Sequence, residues 1–315
     1  MDARSVALVG LGNALKEAGY AFVTASPETH RRVEDRAGAR GHAHARSLRD
    51  VFGWSRPFDV KIVPAEILAL ARAAGVVDEV EGGLLESRVR FSSLRGELFV
   101  HSAYPTVAAD AVFFGPDTYR YCDLVAQHLD ESKTRVKRVV DIGCGSGAGG
   151  IVAAARADAI VLADVNAEAL RLAEVNATLA ALERRVEIVE SDVLGGVTGA
   201  VDLVIANPPY MLDAKARTYR DGGGAIGEGL GVRIAREALA RLDAGGSLLL
   251  YTGAAIVDGM DTFLTAVRTV CEEADAEWRY WEIDPDVFGE EIEQNDAYAA
   301  VERIAAVALC ATRRV

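Results

Sequence analysis

Val139-Val140-Asp141-Ile142-Gly143-Cys144-Gly145-Ser146-Gly147 is the stretch that decides the fold. Its first half is an apolar run that reads as a buried strand. Its second half alternates glycines, which lets the backbone turn sharply and approach a ligand closely. Working outward, Ala159 to Ala163 reads as a second apolar strand ending in Asp164, and Val186 to Val189 as a third ending near Ser191-Asp192. Val201 to Ala206 reads as a fourth and runs directly into Asn207-Pro208-Pro209-Tyr210. A helix is expected from Ile151 to Arg156 and another from Val232 to Leu242, and Gly245 to Tyr251 reads as a fifth strand. In open α/β sheets, ligands bind where such strands end at their carboxyl side.

Two consecutive prolines cannot continue a sheet, so the chain leaves its strand at Asn207. An amide, a prolyl carbonyl and an aromatic face then stand together. That set suits the grip of a planar NH2 group: Asn207 and Pro208 can each accept one N–H, and Tyr210 can cover the plane. Amide and aromatic amine nitrogens are poor nucleophiles because their lone pair is delocalised. Two fixed acceptors can stabilise such a nitrogen as it pyramidalises toward an electrophile. Asp164 follows the glycine turn by about twenty residues, a spacing suited to a ribose diol.

The glycine turn alone is ambiguous, since residues 143–148 also satisfy the dinucleotide fingerprint of nicotinamide enzymes. Combined with the preceding acid and Asn207-Pro208-Pro209-Tyr210 two strands later, it resembles the class I S-adenosylmethionine-dependent methyltransferases. Within these it is similar to the Asn-Pro-Pro-Tyr subgroup that methylates planar nitrogens, which includes the release-factor glutamine (HemK-like) methyltransferases. The resemblance runs from about Val112 to the C-terminus. It implies a Rossmann-like doubly wound α/β sheet whose last strand inserts antiparallel, and S-adenosyl-L-methionine as cofactor. By the same resemblance, Gly143, Gly145 and Gly147 take the methionine end, with Asp141 near its ammonium group. Asp164 holds the ribose, Asp192 accepts from the adenine amine, and Val193 packs on the ring. Asn207, Pro208, Pro209 and Tyr210 form the catalytic motif, and Asn207 also borders the cofactor. Thr118, in Pro116-Asp117-Thr118, matches a family stretch beside the cofactor, but the usual Pro-Arg-Pro and the acid after Thr are missing; Tyr119 and Arg120 stand there instead. The plain alternative is an N-cap opening a helix through His128.

Upstream, helical periodicity covers Arg4 to Ala18, Ser26-Pro27-Glu28 opens a second helix, and shorter helices fit Ser47 to Phe52 and Pro64 to Ala74. Leu85 to Phe91 and Glu97 to His101 read as a hairpin. The expected division is a helical and hairpin substrate-recognition domain at 1–105 and a methyltransferase domain at 106–315. A winged-helix-like module is the other reading of the N-terminal part. Arg31-Arg32, Arg36 and Arg40 cluster near the N-terminus and admit two readings, a local basic patch or a solvated helix face. The acidic segment from Asp284 to Glu291 admits two readings, a solvated turn or a lip over the acceptor.

The chain has 315 residues, is 50% hydrophobic and carries a formal net charge of −13. Such acidity argues against a wide electrostatic footprint on nucleic acid. No apolar run approaches a membrane span, the N-terminus shows no secretory signal, and the four cysteines form no C-x-x-C pair, so a cytoplasmic protein is expected. The five histidines show no metal-ligand spacing, and no P-loop is present. The expected methyl acceptor is a protein glutamine amide, with an exocyclic amine of adenine or guanine in RNA or DNA as the alternative. A non-catalytic S-adenosylmethionine-binding scaffold is the reading from another class. Oligomeric state is not legible in these features.

Overall fold

A computed structural model describes residues 1–132, 135–213, 217 and 219–314. The chain forms two compact units. The first comprises Met1–Arg120, Gly145–Ala148 and Glu168–Arg184, and the second takes the rest of the described chain. The expected boundary after residue 105 falls inside the first unit.

Four helices open the first unit: α1 (Ala3–Glu17), α2 (Pro27–Ala39), α3 (Leu48–Phe52) and α4 (Ala65–Ala73). Their starts follow local chemistry. The side chains of Asp2, Ser26 and Ser47 accept from the backbone N–H of Ser5, Thr29 and Asp50, each three residues on, satisfying donors that the first turn leaves unpaired. The single hairpin expected from sequence is two. β1 (Val77–Val80) pairs antiparallel with β2 (Leu84–Ser87), and β3 (Val89–Leu94) with β4 (Glu97–Ser102). The core of this unit joins Leu8, Leu11 and Leu15 of α1 to Ile67, Phe91 and Val100.

The second unit is built on a mixed sheet. From Pro116 the elements run along the chain as α5 (Pro116–Ser132), β5 (Val136–Ile142), α6 (Ala148–Ala153), β6 (Ala157–Asp164), α7 (Ala167–Leu179), β7 (Val186–Glu190) and β8 (Leu203–Ala206). They continue as α8 (Gly229–Arg241), β9 (Ser247–Val257), β10 (Met260–Asp261), α9 (Thr262–Glu273), β11 (Ala276–Asp284), α10 (Gly289–Gln294) and β12 (Arg303–Arg313). Most of α7 packs within the first unit, where Leu172, Val175 and Leu179 join the core.

The sheet order is β11-β12-β9-β8-β5-β6-β7, with short β10 paired to β9. β5 to β9 run parallel, and β12 lies antiparallel between β9 and β11. This is the doubly wound, Rossmann-like sheet with the reversed last strand that the sequence leads one to expect. Central strands buried on both faces need continuous apolar runs, and Leu203, Val204, Ile205 and Ala206 are all buried. Register then sets the site. Ile142 pairs with Ala206 on one side and Ala163 on the other, and Asp164 pairs with Glu190. The residues that follow these positions, Gly143, Asp164, Ser191 and Asn207, leave the sheet along one carboxyl edge.

Candidate active site

Asp141, 1% exposed, braces the turn that follows it. Its Oδ1 accepts from the Tyr121 hydroxyl at 2.7 Å and its Oδ2 from the Gly150 N–H at 2.8 Å. Burial pushes its carboxyl up to about 7, against the lowering pull of those two hydrogen bonds. Gly143, Gly145 and Gly147 adopt φ of 63°, 52° and 77°, the left-handed region that glycine enters without strain. A Cβ built on Gly143 would meet nothing within 4 Å, and one on Gly145 only Val112 Cγ1 at 4.0 Å. The turn therefore has open faces where side chains would stand.

Two glycines that the sequence reading passed over do different work. A Cβ on Gly149 would lie 2.4 Å from the Tyr121 ring, and one on Gly150 would lie 2.4 Å from Leu162 Cδ2. Their absence of a side chain lets α6 close onto α5 at Gly149 and onto the sheet at Gly150. Cys144 is buried, and burial, with Asp164 and Asp141 nearby, holds its thiol well above the ordinary range. It packs as a small buried side chain.

Asn176 of α7 also escaped the sequence reading. It is 1% exposed. Its Oδ1 accepts from the Val100 N–H at 2.8 Å, and its Nδ2 donates to the Val100 and Ser146 carbonyls, both at 2.9 Å. One buried amide thus ties strand β4 to the glycine turn. No periodic signal marks such a residue, because its partners are main-chain groups remote in sequence.

Asp164, half-buried at the end of β6, accepts through Oδ1 from the Asn166 N–H at 2.9 Å. Its carbonyl accepts from Ser191 N–H at 2.9 Å. The Ser191 hydroxyl donates to the Val193 carbonyl and accepts from Gly196 N–H, each at 2.9 Å. That closes a turn with Val193 buried at φ 52°. Asp192 points its carboxylate to Arg233 of α8, which clamps it with two bonds of 2.8 and 2.9 Å. The carboxylate expected to meet an adenine amine is therefore already engaged, by a residue the sequence reading did not connect to it.

The four residues after β8 form a shaped end. Asn207 is half-buried and Pro208 buried. Among the described residues, neither the Asn207 side chain nor the Pro208 carbonyl has a hydrogen-bond partner. Tyr210 is 7% exposed and fixed by glycines. A Cβ on Gly253 of β9 would come within 2.2 Å of its ring, and one on Gly227 within 2.1 Å of its carbonyl oxygen. The Met211 N–H and carbonyl bond to Arg220 and Gly222, closing the loop beyond; residues 214–216 and 218 of that loop lie outside the described residues.

The acidic segment after β11 reaches the same place. Val287 N–H donates to Ile304 at 2.8 Å, and the Phe288 ring sits 6.3 Å from that of Tyr210. The Tyr298 hydroxyl accepts from Leu212 N–H at 2.6 Å. Phe288 of the segment thus stands beside the Asn-Pro-Pro-Tyr loop, and Tyr298, further on, bonds to the chain just past that loop. The side chains of Glu290 and Glu291 lie outside the described residues.

Thr118 lies in the first unit. Its hydroxyl oxygen accepts from Gly115 N–H at 3.2 Å while its own N–H donates to the Gly115 carbonyl at 2.9 Å, a reciprocal helix cap. The departures from the family pattern have local employment there: the Tyr119 hydroxyl accepts from Thr24 N–H at 3.0 Å and Arg120 bonds Asp117 at 3.1 Å. Among the described residues, no group of three His, Cys, Asp or Glu side chains could hold a metal ion, and no helix is long and apolar enough to cross a membrane.

Comparison with known proteins adds an independent finding. A family model described as the methyltransferase small domain matches residues 107–277. The release factor glutamine methyltransferase of Deinococcus radiodurans is 32% identical over 177 residues, covering 52% of this chain and 62% of that protein. The ribosomal RNA small subunit methyltransferase C of Chromohalobacter salexigens is 35% identical over 118 residues, covering 38% and 32%. The chain thus spans less than two thirds of either relative. Among solved structures, the tRNA m1G37 methyltransferase of M. jannaschii superposes with a TM-score of 0.51 at 19% identity, over 73% of this chain and 60% of that one. Trm5b of Pyrococcus abyssi gives 0.51 at 15% identity, over 80% and 72%. These two share the fold.

Proposed function

This chain belongs to the methyltransferase small domain family, which is S-adenosylmethionine-dependent, and from that premise we propose that it methylates a planar nitrogen, the side-chain amide of a protein glutamine. The observation that carries the reading is the pair of acceptors at Asn207 and Pro208. They stand at the end of a central strand, without a hydrogen-bond partner among the described residues, beside a tyrosine ring locked by glycines.

S-adenosylmethionine supplies a methyl group already activated on a sulfonium. The donor set suits it: open faces over Gly143 and Gly145 for the amino-acid end and the half-buried carboxylate of Asp164 for the ribose hydroxyls. Val193 offers the adenine an apolar surface, and Asp192 keeps its pairing with Arg233. Asp141 acts from behind the turn, holding its shape through Gly150.

For the acceptor, Asn207 Oδ1 and the Pro208 carbonyl each take one N–H of the substrate amide. Holding both hydrogens favours a pyramidal nitrogen with its lone pair released from conjugation. Acceptors fixed beforehand cost no reorganisation as charge develops. Tyr210 covers the amide plane and Phe288 backs its ring, so alignment supplies most of the acceleration. The proton leaves to solvent after transfer. The aligned ribosomal RNA methyltransferase supports a second acceptor, an exocyclic nucleobase amine, which presents the same planar NH2.

The test is to incubate the purified protein with cell extract and methyl-labelled cofactor. Label that survives nuclease, is lost to protease and is recovered as N5-methylglutamine supports the reading. Label recovered as a methylated adenine or guanine moves the acceptor to nucleic acid. Absence of transfer to any macromolecule rejects methylation.

A further inference from the structure

We propose that a groove on the first unit binds the phosphodiester backbone of a nucleic acid strand, probed below with single-stranded RNA. The groove encloses about 590 Å³ and is lined by Arg36, Arg40, His42, Arg46, Asp50 and Arg56, among others. Two kinds of arginine occur here. Arg56 is 8% exposed and is spent on Glu34 at 2.9 Å and Asp50 at 2.8 Å. Arg36, Arg40 and Arg46 are exposed, and among the described residues none has a carboxylate within ion-pair distance.

The contrast lies within one helix. On α2, Arg31 and Arg32 are neutralised by Glu28 at 2.7 and 2.8 Å, and Arg31 also by Asp35 at 2.7 Å. The adjoining face of the same helix turns Arg36 toward the groove, with Arg40 at its end. In a chain with 47 acids against 34 basic residues, three unneutralised guanidinium groups in one concavity are not a matter of composition. The basic cluster read from sequence is thus divided, one part self-paired and one part open.

Arg36 is anchored, its Nε donating to the Arg32 carbonyl at 3.0 Å. Arg36 and Arg40 are separated by about 6 Å of helix rise, comparable to the spacing of successive phosphates along a strand. Arg46 stands just before α3, where its N–H and the Ser47 hydroxyl both donate to Asp50 Oδ2 at 3.0 and 2.9 Å. Its guanidinium donates to His42 Nε2 at 3.1 Å. Guanidinium forks suit phosphate oxygens. None of the large hydrophobic side chains exposed among the described residues lines this groove, so it carries no anchor for a lipid surface. The concavity exceeds what one free phosphate occupies.

The test uses the full chain and a fluorescein-labelled single-stranded RNA, read by anisotropy as salt is raised. Three neutralised phosphates predict a slope of log K against log salt of about −2. Arg36→Gln/Arg40→Gln/Arg46→Gln should weaken binding at least tenfold and flatten that slope. Arg31→Gln/Arg32→Gln, on the self-paired face, should leave both unchanged. Circular dichroism checks the fold, and the single Arg40→Glu variant gives the same reading should the triple one be unstable. Undiminished RNA binding in a folded triple variant overturns the proposal. So does equal competition by poly-glutamate, which would make the ligand an acidic peptide, or by phosphatidylserine vesicles, which would make it a membrane. The binding assay needs no methyl transfer, so its failure is separate from failure of the methyltransferase reading.

Discussion

The ring of Tyr210 is seated on Gly253, so closely that a Cβ on that glycine would stand 2.2 Å from Tyr210 Cδ2. Strand β9 thereby sets the position of an aromatic ring four residues past the end of β8. Gly253→Ala should displace the ring, with a cost of about 1–3 kcal/mol typical of overpacking. We expect turnover to fall tenfold or more with affinity for S-adenosylhomocysteine little changed. Normal turnover with a structure showing Tyr210 unmoved would remove the ring from the mechanism.

Asn207→Ala should separate chemistry from cofactor binding. Loss of one preorganised acceptor is expected to cost about 2.7–4 kcal/mol of transition-state stabilisation, by analogy with an oxyanion-hole donor, or roughly a hundred- to a thousandfold in turnover. Asn207→Asp keeps an acceptor oxygen and should retain part of the rate. Scintillation assays with parallel cofactor titrations measure both quantities. Near-normal turnover in Asn207→Ala would falsify the amide-gripping mechanism.

Asp164→Ala should weaken S-adenosylhomocysteine binding by ten- to a hundredfold, from loss of a charge-assisted hydrogen bond of about 1.5–3 kcal/mol. Isothermal calorimetry gives the constant directly. A dissociation constant equal to wild type places the ribose elsewhere.

Asn176→Ala should leave the Val100 N–H and carbonyl and the Ser146 carbonyl without their buried partner. Unsatisfied groups of this kind destabilise by about 1–3 kcal/mol each, partly recovered by water in the new cavity. Urea unfolding should show a loss of about 2–4 kcal/mol, and cofactor affinity should fall because the glycine turn loses its tie. Unchanged cofactor affinity would confine Asn176 to stability.

Asp141 predicts a pH effect whose sign is unusual for an aspartate. Its carboxyl sits near 7 in the folded protein and near 4 when unfolded. Between those values the native state keeps a proton that the unfolded chain has lost. Stability should therefore fall as pH rises from about 4 to about 7, by at most about 1.4 kcal/mol per unit. Asp141→Asn should remove that component from urea titrations. If Asp141 also meets the cofactor ammonium, binding at pH 6.5 should release a proton, visible as a buffer-dependent calorimetric enthalpy. A buffer-independent enthalpy would restrict Asp141 to bracing the turn through Gly150.

The two decisive motifs were legible because they interrupt a pattern. Gly143, Gly145 and Gly147 break one apolar strand, and Pro208-Pro209 terminates another. Strands β6, β8 and β9 were readable for the same reason that they are buried. Helix α7 was not read: it buries Ala169, Leu172, Ala173, Val175, Asn176, Ala177 and Leu179, more than half of its circumference, so no clean polar face marks its period. β1, with Asp78 and Glu79 at its centre, lacks the apolar alternation of a strand. Asn176, Arg233 and Gly253 matter only through partners far off in sequence, and a linear reading has no access to those pairings. For the same reason the pairing of Asp192 with Arg233 is not visible in the sequence.

The reversed strand β12 has an effect on how this protein can vary. Because β12 runs against both neighbours, β11 points the same way as β9, and the connection from β11 to β12 must turn over at the end of the sheet where Asn207 emerges. A parallel last strand would carry its crossover back to the opposite end. One inverted strand thus delivers residues 285–302 to the end of the sheet that bears Asn207, from a part of the chain that contributes nothing to the glycine turn or to Asp164. If the acceptor binds at Asn207 as proposed, insertions or substitutions there would change which acceptors are admitted while the cofactor strands stay untouched, and acceptor choice and cofactor use would be separable under selection.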